Sequence, residues 1–287
     1  MNIKKLGLIA MSMLCAVALL AQTANNKSTG ILLVHYGTGN DRSRSVTIDK
    51  LDSIVAERFA DCKVMEAYAA PAVIRMLGKR GIKKLSIPEA LDSLKSLGCK
   101  RVVVQSTMLL DGVMTDLLED YAEKAKGKFS EIKVGRPLLY SVDDCRKMIG
   151  VISENLAADK TIEAGKSQVV LVGHGSDSPA NAMYSQLDYL LKDEGKQEWH
   201  VGTIEGYPTI ENVERQLRKS KTKRVVLVPL LYIAGNHQKE DINGVWKEKL
   251  QKQGYKVSIL GKGLGEMPEV QEMIIEKIAP SISPKGE

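Results

Sequence analysis

Between residues 29 and 260 the chain alternates short, continuously apolar runs with longer segments whose apolar positions recur every three or four residues. The runs ILLV (31–34), RVVVQS (101–106), VVLVG (169–173) and RVVLVPLL (224–231) are rich in β-branched residues and end at glycine or a polar turn, which predicts buried strands. Segments such as RSVTIDKLDSIVAERF and PEALDSLKSLG read as amphipathic helices between them. Strands that are apolar on both faces need cover on both, and strand–helix alternation supplies it in a parallel sheet.

The pattern occurs twice. ILLVHYGTG (31–39) corresponds to VVLVGHGSD (169–177), VMEAYAAPAVIRML (64–77) to TIEGYPTIENVERQL (203–217), and KRVVVQSTMLLDG (100–112) to KRVVLVPLLYIAG (223–235). These matches pair Gly37 with Gly175, Glu66 with Glu205, Tyr68 with Tyr207 and Gly112 with Gly235. The expected fold is α/β, with two similar Rossmann-like halves, each built on a parallel sheet, related by pseudo-twofold symmetry around a cleft. The N-terminal half is expected over 29–160 and the C-terminal half over 166–282, joined near EAGKSQ. The last helix, PEVQEMIIEKIA, is expected to close the second half as DDCRKMIGVISENLA closes the first.

Candidate chemistry gathers at the strand ends of the second half. His174, Glu205 and His237 each follow an apolar run and succeed one another at intervals of 31 and 32 residues, about one strand, crossover helix and strand. Neighbouring parallel strands present their carboxyl ends side by side, so three such residues can meet in one cleft. Singly, each also fits a turn histidine or a capping carboxylate; jointly, two imidazoles and a carboxylate suit divalent first-row metals without choosing among Co²⁺, Ni²⁺, Fe²⁺ and Zn²⁺. Gly173, Gly175, Gly206 and Gly235 beside them are expected to let backbone approach a flat or bulky ligand. In the first half Tyr36 stands where His174 does, and nothing there matches His237.

Composition narrows the setting. MNIKK followed by LGLIAMSMLCAVALLA has the layout of a secretory signal peptide over residues 1–24, with Ala21 and Ala24 as processing points and an apolar run too short to span a bilayer. Its removal leaves 39 basic against 35 acidic residues, a mature charge of about +4 interspersed along the chain, which is no footprint for nucleic acid. An exported, periplasmic protein with no stable membrane span is expected. Cys62, Cys99 and Cys145 form no CxxC and read as buried thiols.

The ordered set VHYGTG, QSTMLLDG, GHGSDSPA, IEGYPTIE and PLLYIAGNH, followed by GVWKEKLQKQGY and GLGEMPEV, closely resembles the anaerobic-type sirohydrochlorin cobaltochelatases (CbiK family), class II tetrapyrrole chelatases, over about residues 29 to 280. The resemblance implies that His174, Glu205 and His237 bind the incoming metal. It implies Co²⁺ as the substrate metal, with Fe²⁺ and Ni²⁺ as further candidates, a tetrapyrrole in the cleft and no nucleotide. His174, together with Glu205, is the implied acid–base group, since an imidazole changes protonation near neutral pH. Homo-oligomeric assembly, with haem at subunit contacts, also comes from the resemblance.

The chain departs from the family pattern in its first half. His35 stands where serine is common, Met108 where a histidine is often found, and the apolar end of GVM, around Met114, where an acidic residue is common beyond the glycine. His35 and Met108 are therefore candidates for tetrapyrrole or haem contact, because both residue types serve as axial ligands to haem iron. They leave open a second reading, an exported haem- or tetrapyrrole-binding transport protein on the same scaffold. His200, beside Trp199, is expected to be structural or exposed.

Overall fold

The computed structural model describes residues 28–235 and 237–282, so the leader expected over residues 1–24 lies outside the described residues. Among these residues eight strands form two four-stranded sheets of identical order, β2-β1-β3-β4 and β6-β5-β7-β8, in which every pairing is parallel. The first sheet comprises β1 (Thr29–His35), β2 (Lys63–Tyr68), β3 (Arg101–Ser106) and β4 (Glu131–Val134). The second comprises β5 (Gln168–Gly173), β6 (Trp199–Thr203), β7 (Arg224–Leu230) and β8 (Lys256–Ile259). No helix among the described residues is long and apolar enough to cross a membrane.

The helices are α1 (Asp41–Arg58), α2 (Pro71–Gly78), α3 (Ile87–Ser96), α4 (Val113–Ala125), α5 (Val142–Ala158), α6 (Ala182–Asp193), α7 (Ile210–Leu217), α8 (Lys247–Lys252) and α9 (Pro268–Ile282). A π-helix, Gln238–Trp246, runs directly into α8. Strand alternation sorts the apolar side chains into layers. Leu32, Val34, Val102 and Val104 pack on α3 and α4, while Val170, Val172, Val225 and Leu227 pack on α7 and the π-helix. The opposite faces, with Ile31, Leu33 and Val103 from one sheet and Val169, Leu171, Val226 and Val228 from the other, share one continuous core with α5 and α9.

That shared core changes the expected division of the chain. α9 lies against β3 of the first sheet as well as sharing the core with β5 and β7 of the second. Arg101 of β3 donates to the Ser281 carbonyl (3.2 Å), and Arg58 of α1 makes a two-pronged pair with Glu272 (3.1 and 3.2 Å). α5 leans toward the second half: Cys145 Sγ lies 3.8 Å from Met183 Sδ of α6, and Arg146 bonds Glu194 just beyond α6 (2.7 Å). An amphipathic pattern shows that a helix buries one face but not which sheet receives it, so the sequence assigned each helix to the nearer half.

Strand register confirms most of the internal match and corrects one part of it. Val34 pairs with Ser106 as Val172 pairs with Pro229, which keeps β1 and β3 equivalent to β5 and β7. Tyr68, however, lies opposite His35, and the residue opposite the corresponding Gly173 is Thr203, so Tyr68 is the counterpart of Thr203 and not of Tyr207. Glu66 sits inside β2 and is not the equivalent of Glu205. Only Ala69 and Ala70 join β2 to α2, whereas Ile204 to Thr209 join β6 to α7. The second half has a connection four residues longer, and Glu205 rides on it.

His200, on β6, is structural and only 5% exposed. Its Nδ1 accepts from Lys192 Nζ (3.2 Å), so Nε2 donates to Gln168 Oε1 (3.2 Å). Burial, reinforced by the Lys192 charge, pushes its pKa from 6.5 down to about 3. The ring is thus neutral in the fold but takes up a proton in the unfolded chain below pH 6.5. Stability is full above that pH and declines as pH falls toward 3, by up to about 1.4 kcal/mol per pH unit. Urea midpoints measured from pH 7 to 4 should fall more steeply for the wild type than for His200→Gln; equal slopes would show that His200 does not drive the acid sensitivity.

Candidate active site

The turn after β5 and the longer connection after β6 are laced together by backbone. Ile204 N donates to the Gly173 carbonyl (2.9 Å) and Glu205 N to that of His174 (2.7 Å), continuing the sheet past its formal end. Gly175 has φ +93°, and a Cβ there would lie 1.2 Å from the Glu205 carbonyl oxygen, so only glycine permits this approach. Asn181 clamps the same two loops, accepting from Ser176 N (2.9 Å) and donating to the Tyr207 carbonyl (2.7 Å). Tyr184, buried on α6, fills the space that Gly173 leaves open, and its hydroxyl accepts from Gly175 N (3.3 Å). The space beside Gly173, Gly175 and Gly206 is therefore occupied by protein, which corrects the expectation that these glycines make room for a ligand.

This bracing brings His174 and His237 together from the ends of β5 and β7. Their rings meet edge to face, with centroids 4.6 Å apart and planes at 83°. His237 Nδ1 bonds Asp241 Oδ2 at 2.9 Å, and His174 Nδ1 lies 3.3 Å from the Gly175 carbonyl. In each ring Nδ1 is the donor to an oxygen, which leaves the Nε2 lone pair available to an incoming ion. His174 is half-buried and His237 exposed. Asp241 went unnoticed in the sequence reading, although its spacing of four residues from His237 places it one helical turn away.

Glu205 shares the loop pair with His174, its backbone N–H bonded to the His174 carbonyl and its side chain exposed. Among the described residues the one set of three metal-ligating side chains whose donor atoms all fall within 4.8 Å is His35, Asp52 and Glu66, in the first half. The strand ends thus bring the two histidine rings together.

The two other candidates differ in their surroundings. His35, the last residue of β1, is fully buried, with Nε2 3.0 Å from Asp52 Oδ1 and Nδ1 3.3 Å from Thr107 Oγ1. With both nitrogens engaged inside the protein, it is not offered to a macrocycle as an axial ligand. Met108 is half-buried just beyond β3, where its carbonyl accepts from Leu138 N (3.0 Å). The thiols are inert: burial pushes Cys62 and Cys145 up to about 11.

The two halves touch near the site. A Cβ on Gly112, in the loop after β3, would lie 3.3 Å from Ser178 Oγ and Ala180 Cβ, and Ser43 of α1 donates to the Ala234 carbonyl (2.7 Å) just ahead of His237. The histidine pair therefore lies where loops from both sheets converge.

Over residues 29–283 the chain matches the family model described as "Cobalt chelatase (CbiK)". It is 28% identical over 260 residues to "Sirohydrochlorin cobaltochelatase CbiKC" of Nitratidesulfovibrio vulgaris, covering 88% of this chain and 90% of that protein. It is 25% identical over 250 residues to "Sirohydrochlorin cobaltochelatase" of Salmonella typhimurium, covering 85% and 93%. Among solved structures, SirB from Bacillus subtilis with Fe³⁺ superposes with a TM-score of 0.67 at 17% identity, covering 89% of this chain and 96% of that one. SirB from Bacillus subtilis subspecies spizizenii in complex with cobalt gives 0.64 at 15% identity, covering 88% and 95%. At these identities the structural likeness is one of fold.

Proposed function

The chain belongs to the cobalt chelatase (CbiK) family of metal chelatases, and from that premise we propose that it inserts Co²⁺ into sirohydrochlorin, without a nucleotide, at the loop edge carrying His174, His237 and Glu205. The observation that supports the site is the meeting of two imidazoles from separate strand ends, 4.6 Å apart, each with its Nδ1 turned to a protein oxygen.

Insertion requires that a macrocycle lose two N–H protons while the ion exchanges water and protein ligands for four ring nitrogens. A site of few ligands with open positions suits an ion that must leave again. On this reading His174 and His237 offer Nε2 to Co²⁺, and the exposed Glu205 swings to the same ion or accepts a ring proton. Two groups that have released the metal, each carrying one proton away to solvent, account for the two protons displaced. The leader pattern of residues 1–24 supports an exported, periplasmic setting for the reaction.

Purified protein incubated with sirohydrochlorin and Co²⁺ should convert the visible spectrum to that of the cobalt complex at a catalytic rate above the spontaneous one. Stoichiometric binding without turnover would overturn the reading in favour of a carrier. Parallel reactions with Ni²⁺ and Fe²⁺ rank the metals, which the N and O donors do not discriminate.

The Asp241 contact makes a separate claim. Asp241→Asn keeps the shape of the His237 partner but removes the charge that orients and strengthens the imidazole as a ligand. The Co²⁺ concentration giving half-maximal rate should rise about 10-fold or more. An unchanged Co²⁺ dependence would remove Asp241 from the site.

A further inference from the structure

We propose that the N-terminal half holds a second divalent-cation site, in which His35 Nε2, Asp52 and Glu66 ligate one first-row transition-metal ion. The three side chains come from the end of β1, the middle of α1 and the middle of β2, and their donor atoms lie within 4.8 Å of one another. His35 Nε2 and Asp52 Oδ1 are 3.0 Å apart, close to the separation of about 3 to 3.5 Å between two donors each about 2.1 Å from a common ion. One nitrogen and two carboxylate oxygens form a borderline-to-hard set that suits Co²⁺, Zn²⁺, Mn²⁺ or Fe²⁺.

The surroundings have the form of an outer shell. Thr107 Oγ1 sits 3.3 Å from His35 Nδ1, where it fixes the ring with Nε2 toward the carboxylates. Lys84 Nζ holds Glu66 Oε1 and leaves Oε2 buried with no hydrogen-bond partner. Two phenols add to this. Tyr68 is 1% exposed with an unpartnered hydroxyl, and the charges of Glu66, Asp49 and Asp52 all act on it. Tyr232, arriving from the second half, is 7% exposed, and its unpartnered hydroxyl feels the charge of Asp52. One oxygen of the set itself, Glu66 Oε2, is therefore buried without a partner, as is the hydroxyl of Tyr68, whose ring lies 6.3 Å from that of His35, a deficit that an ion and its bound water would remove.

Charge points the same way. Arg44 is committed to Asp41 and Asp49, so Lys84 alone stands against Asp52 and Glu66. The side chains of Asp52 and Glu66 are 22% and 29% exposed, which leaves an ion a way in.

The test uses the full chain carrying His174→Ala and His237→Ala, so that the insertion site no longer competes, and contains no tetrapyrrole. Its outcome is thus independent of the chelatase reading. After removal of metal with a chelator, titration with Co²⁺ followed by calorimetry and visible absorption should show one bound equivalent and a raised melting temperature. Adding Asp52→Asn or, separately, Glu66→Gln should weaken Co²⁺ binding at least 100-fold while the circular dichroism spectrum stays native. Absence of Co²⁺ binding by the folded double variant, or binding unmoved by both further substitutions, would mean that the cluster is only an internal hydrogen-bonded network. Should either substitution disturb folding, anomalous diffraction from Co²⁺-soaked crystals of the double variant decides. Cobalt about 2.0 to 2.3 Å from His35 Nε2 supports the site, and cobalt bound only elsewhere overturns it.

Discussion

His174→Ala and His237→Ala are each expected to lower the rate of cobalt insertion into sirohydrochlorin by about 100-fold or more, with melting temperatures within a few degrees of the wild type. The two effects separate because the rings lie on loops beyond the strand ends: His237 is exposed and His174 half-buried, and neither belongs to a buried apolar cluster. Removing either leaves one imidazole where two now meet at 4.6 Å. Initial rates from the visible spectrum, at saturating and limiting Co²⁺, measure the loss. Wild-type rates in either variant would exclude that residue from the chemistry. Glu205→Gln tests the third member, whose carboxylate is exposed. A loss comparable to that of the histidines is expected if the carboxylate joins them when substrate is present.

The second large effect falls on stability. Gly175→Ala should destabilise the protein by about 3 kcal/mol or more, because two penalties coincide. At φ +93° an alanine Cβ is strained in any surroundings, and here it would lie 1.2 Å from the Glu205 carbonyl oxygen. That oxygen belongs to backbone held by the bonds of Ile204 and Glu205 to the β5 turn, so it cannot swing aside as a side chain would. Relief requires the β6 connection to lift off the β5 turn, which separates Glu205 from His174. Chemical denaturation should therefore show a lower midpoint, and insertion should fall in the molecules that remain folded. Gly235→Ala is the control, since the nearest atom to its Cβ would be Ile233 Cγ2 at 3.9 Å and φ is unexceptional. A midpoint for Gly175→Ala equal to that of Gly235→Ala would refute the close-approach argument.

Much of this arrangement was legible in the chain. Continuously apolar runs in ILLV, RVVV, VVLV and RVVLV marked β1, β3, β5 and β7, and the near-equal spacing of His174, Glu205 and His237 pointed to the candidate site. The failures have physical causes. The E-x-Y pattern occurs in both halves, so textual matching paired Glu66 with Glu205, and only register shows the longer connection in the second half. Spacing fixes which residues reach neighbouring strand ends but not their side-chain torsions, so the edge-to-face meeting of the His174 and His237 rings was invisible. Asp52 gave no signal, as a lone acid on an amphipathic helix ordinarily faces solvent. It becomes notable only because α1 turns it toward the buried His35.

The placement of α9 across β3 bears on how the chain reaches this state. The apolar surface of Ile31, Leu33 and Val103 is completed by Val270, Ile274 and Ile278, which are synthesised more than 160 residues later. A nascent N-terminal half emerging from the ribosome can assemble its sheet, the layer of α3 and α4 and, on the other side, α1 and α5, yet the part of that side against β3 waits for α9 until translation is nearly finished. The two halves are similar in architecture but not autonomous as folding units, and neither can be cut free without stripping the other of a wall.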